Sequence, residues 1–148
     1  MEKPRFVILA FQTGRKNVLS ENVAEFDACK LVNVRLHLNS EFYPYDDMNL
    51  DFDKNRFAIL YDMYARFHKA YYRSGKSSLN IDEFRDRVPF VVIDCSRQNK
   101  SVKSTTVDVR IEFECKNDIP ANTTAYCLIL HDRMVEYNPL NNIVRRIV

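Results

Sequence analysis

The sequence of 148 residues contains only two glycines, Gly14 and Gly75. Glycine-rich loops that hold phosphates need several glycines close together, so this class of nucleotide site is excluded. The sequence also has no GxSxG elbow and no HExxH motif, the patterns of many serine hydrolases and zinc proteases. No two of its four cysteines have CxxC spacing, and none stands at zinc-ligand spacing with a histidine.

Long hydrophobic runs are absent as well. The first apolar run covers only residues 6–11, which is too short for a secretory signal or a membrane span. The net charge of +2 argues against nucleic acid as a partner, since affinity for phosphates needs many clustered cations. Cys95, Cys115 and Cys127 lie in apolar, strand-like runs, where free cysteine behaves as a small buried hydrophobe. We therefore expect reduced core thiols, an intracellular location in the cytoplasm or nucleus, and no membrane partner.

The length and composition are those of an ordinary globular domain. The apolar fraction is 46% and the charged fraction is 28%. A domain of this length buries ~70% of the surface that its unfolded chain exposes. No internal repeat or low-complexity segment divides the chain, so we assign residues 1–148 to a single domain.

Short apolar or alternating segments predict a β-rich fold. Residues 31–38 alternate with a period of two, which places every second residue from Val32 onwards on a buried face. Residues 105–115 show the clearest alternation, with charged residues on the second face. The other predicted strands cover residues 5–12, 90–95, 123–137 with a break near His131 and Asp132, and 143–148.

One long helix is predicted over residues 54–73, where aromatic and aliphatic side chains recur at spacings of three and four on a single face. Asp51 or Asp53 can cap its start, and Ser74-Gly75 ends it. The strands mostly follow one another without alternating helices. The predicted fold class is therefore all-β, an antiparallel β-sandwich with one long inserted helix.

A second, shorter helix is predicted over residues 81–87. Asn80 is placed to cap it, and Glu83 stands three residues later, as in a capping box. Pro89 ends the segment.

The segment between the second strand and the long helix, residues 39–52, is predicted to be an extended loop held down by aromatic side chains. Its carboxylates lack the glycine and the terminal glutamate of a calcium-binding EF-hand loop, so solvation and helix capping explain them better. The candidate residues for contact with a partner are Phe42, Tyr43, Tyr45, Asp46 and Asp47.

No catalytic set is indicated. His37, His68 and His131 lie on separate predicted elements, so the sequence predicts no metal and no other cofactor. His131 and Asp132 are neighbours, but adjacent side chains on a strand point to opposite faces. Cys95 has no base at a spacing that would activate a thiolate. We predict that the protein is not an enzyme, and a centre at His131, Asp132 or Cys95 is the least favoured alternative.

Four long strings carry a resemblance to a known family. They are LNSEFYPYDDMNLDF, RFAILYDMYARFHKAYY, VVIDCSRQNKSVKSTTVDVRIEFE and IPANTTAYCLILHDRMVEYNPL. They resemble the double jelly-roll-like domain of insect-encoded proteins related to the capsid proteins of Polinton-type elements and adintovirus-like viruses. The resemblance covers residues 4–148. Because the chain has the length of one roll, it is similar to the carboxy-terminal half of such a capsid protein.

The resemblance implies a jelly-roll β-sandwich with a structural, capsid-like role and no chemistry. The first hypothesis is therefore a viral-type structural protein that forms a homo-oligomer or docks with capsid-like partners through sheet edges and loops. The terminal strand at residues 143–148 and the polar face of residues 106–114 are candidate surfaces. The alternative is a domesticated protein- or glycan-binding module of an insect genome, with Phe42, Tyr43 and Tyr45 as its contact surface.

Overall fold

A computed structural model describes residues 4–73, 78–98 and 107–147. Within these ranges there are two α-helices, α1 over Ala58–Tyr72 and α2 over Ile81–Arg87, and a short 3-10 turn over Phe52–Lys54. The strands are β1 Phe6–Thr13, β2 Leu31–Leu38, β3 Glu41–Tyr43, β4 Val91–Asp94, β5 Val109–Cys115, β6 Thr123–Leu130, β7 Met134–Asn138 and β8 Ile143–Ile147.

The strands form two three-stranded antiparallel sheets and a separate hairpin. The first sheet has the order β4-β1-β6, the second has the order β3-β2-β5, and the hairpin pairs β7 with β8. β3 lies inside the segment that was predicted to be a loop, because three of its residues pair with the end of β2. The predicted break near residues 131–132 is present between β6 and β7.

The hydrophobic core lies between the two sheets. Alternate residues of β1, among them Val7 and Leu9, and most apolar residues of β2, among them Val34 and Leu36, are buried in one cluster. The ring of Phe11 on β1 meets the ring of Phe113 on β5 edge to face, with centroids 5.0 Å apart. Two sheets that share one core form a sandwich, so the predicted all-β fold class is confirmed.

The start of β2 corrects one detail of the prediction. Leu31 is buried and Val32 is only half-buried, the reverse of the expected alternation. The cause is a bulge in the ladder with β5, where Leu31 faces Cys115 and Asn33 faces Glu114. The extra residue on β2 places the residues before it on the opposite face of the sheet from the predicted one. Strict alternation therefore holds only from Val34 onwards.

The long helix begins later than predicted. Asp51 does cap a turn, because its side chain accepts a hydrogen bond from the Lys54 amide, but that turn is the short 3-10 turn. The chain then leaves the turn through Asn55 in the left-handed conformation, and α1 starts only at Ala58. At its other end α1 stops at Arg73, which is also left-handed, and the predicted stop at Ser74-Gly75 lies outside the described residues.

The helices pack against the first sheet and against each other. The Phe67 ring of α1 meets the Phe6 ring of β1 at 5.0 Å. Tyr71 follows Phe67 at a spacing of four and so belongs to the face that was predicted to be buried, but it is exposed. α2 has the predicted capping box at Asn80, and its Phe84 is completely buried. Neither helix in the described part of the chain is long and apolar enough to cross a membrane.

The cysteines divide by their place in the sandwich. Cys95 is buried as predicted, Cys29 and Cys115 are half-buried, and Cys127 is exposed. The prediction that Cys127 is a core thiol is therefore wrong. The reason is that β6 is the last strand of its sheet, and the core reaches this strand only at Ile129, which is half-buried.

Asparagine occupies most of the left-handed turns. Nine non-glycine residues within the described ranges have a positive φ, and six of them are asparagines. Asparagine tolerates this conformation better than other residues with a Cβ atom. The six asparagines with a positive φ are Asn17, Asn39, Asn49, Asn55, Asn122 and Asn142.

Candidate functional site

The loop that contains the predicted contact residues, residues 42–47, is called the aromatic loop below. It starts within β3, which is short because Pro44 has no amide hydrogen to continue the ladder. Phe42 pairs with His37 of β2, and the Tyr43-Pro44 peptide bond is cis. The aromatic loop is therefore attached to the sandwich at one end of the second sheet.

Two aromatic rings of the loop are presented together at the surface. Phe42 and Tyr45 stack with centroids 5.9 Å apart and planes inclined by 11°. Tyr45 is 84% exposed and Phe42 is 41% exposed. The guanidinium group of Arg35 lies 6.0 Å from the centre of the Phe42 ring. Such a stacked, exposed pair can cover an apolar or planar group of a partner.

Asp47 has a different role, because it fixes the loop to β2. Its Oδ1 atom accepts hydrogen bonds from Nδ2 of Asn33 at 3.0 Å and from Nε of Arg35 at 3.1 Å. The Arg35 guanidinium and the Asn33 amide hold the pKa of this carboxyl below its usual range. Asn33 is buried, and its Oδ1 atom accepts from the amide of Met48 just after the loop. Asp46, the residue before Asp47, is exposed.

Tyr43 points inwards and is half-buried. Its hydroxyl donates to a carboxylate oxygen of Glu41 at 2.7 Å. Burial, together with this carboxylate, raises the pKa of Tyr43 to about 12. Of the five predicted contact residues, the structure thus presents four to solvent, Phe42, Tyr45, Asp46 and Asp47, although Asp47 also holds the loop; Tyr43 is half-buried and turned towards the core.

A cavity of about 470 Å³ lies between the aromatic loop, α1 and β4. Its size is within the range of small-molecule pockets. Tyr43, Ile59 and Met63 contribute to its apolar lining, and Asp62 and Arg66 of α1 form an ion pair there at 2.7 Å. The sequence analysis did not predict this cavity, since residues from four separate segments line it: β1, the aromatic loop, α1 and the chain from β4 onwards.

The least favoured catalytic centre gains no support from the geometry. Cys95 is buried, and burial raises the pKa of its thiol to about 12, so the thiolate is scarce at neutral pH. The carboxylate of Asp132 accepts two hydrogen bonds from Arg5, both at 2.9 Å. In the described ranges, no three or more histidine, cysteine and acidic side chains come together in a way that could hold a metal ion.

Exposed apolar side chains on β6 and on the β7–β8 hairpin form further candidate surfaces, and of these strands only the terminal one, β8, was predicted from the sequence as a contact surface. Large apolar side chains are exposed on both, which exceeds the scattered exposure that is normal for a soluble domain. The sequence contains one feature that could have indicated the apolar surface on β6, because residues 123–130 include no charged residue. The exposed large apolar residues are Tyr126, Leu128, Val135, Tyr137, Leu140, Ile143, Val144 and Ile147.

Comparison with known proteins gives one match. The model of a family described as the double jelly roll-like domain matches residues 1–135, which include β1 to β6 and both helices. A search of curated proteins and a search of solved structures each gave no match.

Proposed function

Because the chain belongs to the double jelly roll-like domain family, we propose that it is a structural protein of the viral or transposon capsid type and not an enzyme. The family match carries this proposal, since it covers most of the chain. Jelly-roll sandwiches recur in viral capsids, where two sheets close over one core and leave edges and loops for neighbours. We propose that residues 1–148 supply one such roll.

The partners that suit this role are copies of the same chain or capsid-like proteins. Support comes from the apolar side chains exposed on β6 and on the β7–β8 hairpin. Surfaces of this kind mark protein contact sites. We also propose that the protein works inside the cell, because Cys95 is a buried core thiol of the kind that the sequence predicts.

The experiment for this proposal is size-exclusion chromatography with light scattering over a range of micromolar concentrations. We expect a mass that rises with concentration above that of one chain. A tagged form of the protein should also recover its own untagged copy from a mixture of the two. A mass of one chain at every concentration, with no copy recovered, would contradict the proposal.

A second function is favoured by one observation, the stacked and exposed pair of Phe42 and Tyr45. This pair suits a binding module that recognises a protein or a glycan. A Phe42→Ala/Tyr45→Ala variant should lose a bound partner and keep its circular dichroism spectrum. Tyr72→Ala is the matched control, because Tyr72 is a ring on α1 whose exposed fraction, 62%, lies between those of Phe42 and Tyr45. Binding that survives in the double variant would exclude the aromatic loop as the contact surface.

A further inference from the structure

β6 has the sequence of a central strand but the position of an edge strand. Within the described residues, β6 pairs only with β1, and its other edge is open. Edge strands usually carry charges or proline that prevent pairing with other chains. β6, TTAYCLIL, has neither. Tyr126 and Leu128 on one face are 42% and 55% exposed, and Ala125 and Cys127 on the other face are exposed too.

The backbone groups that face the open edge can be identified from the ladder with β1. The amide of Gly14 donates to the carbonyl of Asn122 at 3.1 Å, and the ladder continues through Gln12 opposite Thr124. Hydrogen-bonding residues alternate along an antiparallel strand. The N–H and C=O groups of Ala125, Cys127 and Ile129 therefore point away from β1, towards the open edge.

We propose that the open edge of β6 pairs with β6 of a second copy of this chain, antiparallel, about a two-fold axis at Cys127. This inference rests on the proposed structural function and names its contact surface. The pairing places Tyr126 opposite Leu128, Ala125 opposite Ile129, and Cys127 opposite its own counterpart. Residues on the same face of the sheet then meet, and about six backbone hydrogen bonds form across the axis.

The absence of charged side chains on β6 selects a second β6 over the other strands. The edge strands β3, β4, β5, β7 and β8 all carry at least one charged side chain. Pairing β6 with any of them would bring a charge against apolar residues, which has a desolvation cost. Only β6 offers an uncharged edge among the described edge strands, and an edge that meets its own copy forms a closed two-fold contact.

The size of the contact sets its expected strength. An eight-residue strand is about 27 Å long. One strand pair buries less than the roughly 800 Å² per partner of a standard interface, so it belongs to the weak class. We therefore expect a dissociation constant in the micromolar range, which suits a subunit contact that is repeated within an assembly.

Cross-linking tests the position of the axis. A Cys29→Ser/Cys115→Ser variant leaves Cys127 as the exposed thiol, because Cys95 is buried. With a short bis-maleimide, we expect a dimer whose linked peptides, identified by mass spectrometry, join Cys127 to Cys127. Adding Cys127→Ser should abolish the cross-linked dimer. A dimer in solution that gives no such link would overturn the proposed pairing.

A charge at the open edge tests the pairing itself. Ala125→Lys places two lysines near the axis, and we expect the dissociation constant to rise at least tenfold in light scattering. Leu19→Lys, in the connection between β1 and β2, is the matched control, since it adds the same charge at an exposed apolar residue outside both apolar surfaces and should leave association unchanged. Association that Ala125→Lys does not weaken would overturn the β6 pairing and leave the structural function in place. A chain that is monomeric at every concentration would overturn both.

Discussion

The role of Phe84 as the anchor of α2 leads to a quantitative prediction. Phe84 is the only buried residue of this seven-residue helix, and its side chain is 0% exposed. Its ring meets the ring of Tyr61 at 5.6 Å and stacks on the ring of Tyr64 at 5.2 Å. Phe84→Ala removes both ring contacts and leaves a cavity between α1 and α2.

The expected loss of stability follows from these contacts. Truncation of a buried phenylalanine to alanine costs about 3 to 5 kcal/mol. Two aromatic pairs each add about 0.5 to 1.5 kcal/mol beyond the area they bury, which keeps the cost for Phe84 above the lower end of that range. We expect the free energy of unfolding to fall by about 4 kcal/mol. At about 2 to 4 °C per kcal/mol, the midpoint of thermal unfolding should fall by about 8 to 16 °C.

Urea unfolding followed by far-ultraviolet circular dichroism measures this loss by linear extrapolation. Leu19→Ala is the control, because Leu19 is fully exposed in the connection between β1 and β2 and its loss should change stability by about 0.5 kcal/mol or less. A loss below about 1.5 kcal/mol for Phe84→Ala would refute the idea that this ring is the anchor. A change in the slope of the free energy of unfolding against urea concentration would show instead that the unfolded or native ensemble had altered.

Three further predictions concern single contacts. Asn80→Ala should lower the free energy of unfolding by ~1 kcal/mol in urea melts, because Asn80 accepts from the Glu83 amide at 2.8 Å in the capping box. The pKa of Asp47 is lowered in the folded state, so its contribution is present above the ordinary carboxyl pKa of about 3.9 and is lost as the pH falls through the folded value. The stability difference between wild type and Asp47→Asn in urea melts should therefore shrink between about pH 7 and about pH 2; a constant difference would contradict this pairing. In dilute protein at about pH 8, iodoacetamide should modify Cys127 long before Cys95, as measured by mass spectrometry, because burial raises the pKa of Cys95 to about 12. Equal rates at the two thiols would contradict the assigned burial.

The periodic patterns of the sequence predict the sandwich well where one face of a strand is buried. β2 was predicted at residues 31–38 and has those bounds, and the capping box of α2 was identified from Asn80 and Glu83 alone. These successes have a local cause, because alternation and capping depend on residues that are neighbours in the sequence.

The predictions that were wrong concern features that the periodic pattern of a single segment does not determine. The bulge at the start of β2 depends on the register with β5, about 80 residues away. The exposure of Cys127 depends on the place of β6 at the end of its sheet, and an uncharged strand looks the same in sequence whether it is central or at an edge. The late start of α1 depends on the left-handed turn at Asn55, which the helical spacing of the aromatic residues did not reveal.

The candidate site was predicted only in part. The exposed pair of Phe42 and Tyr45 stands where the sequence suggested a contact surface. The inward orientation of Tyr43 and the attachment of Asp47 to Arg35 required the pairing of β3 with β2. Whether the aromatic loop contacts a partner stays a prediction.

The asparagines in the left-handed turns affect the unfolded chain as much as the folded one. A glycine at each of these six positions would fit the turns without strain, but it would widen the range of backbone conformations that the unfolded chain samples. A residue with a Cβ atom reduces that freedom, by about 0.4 to 1 kcal/mol per position where the native conformation is tolerated. With only two glycines in 148 residues, the chain has less backbone entropy to lose when it folds. Part of the stability of this sandwich thus resides in the stiffness of the unfolded ensemble.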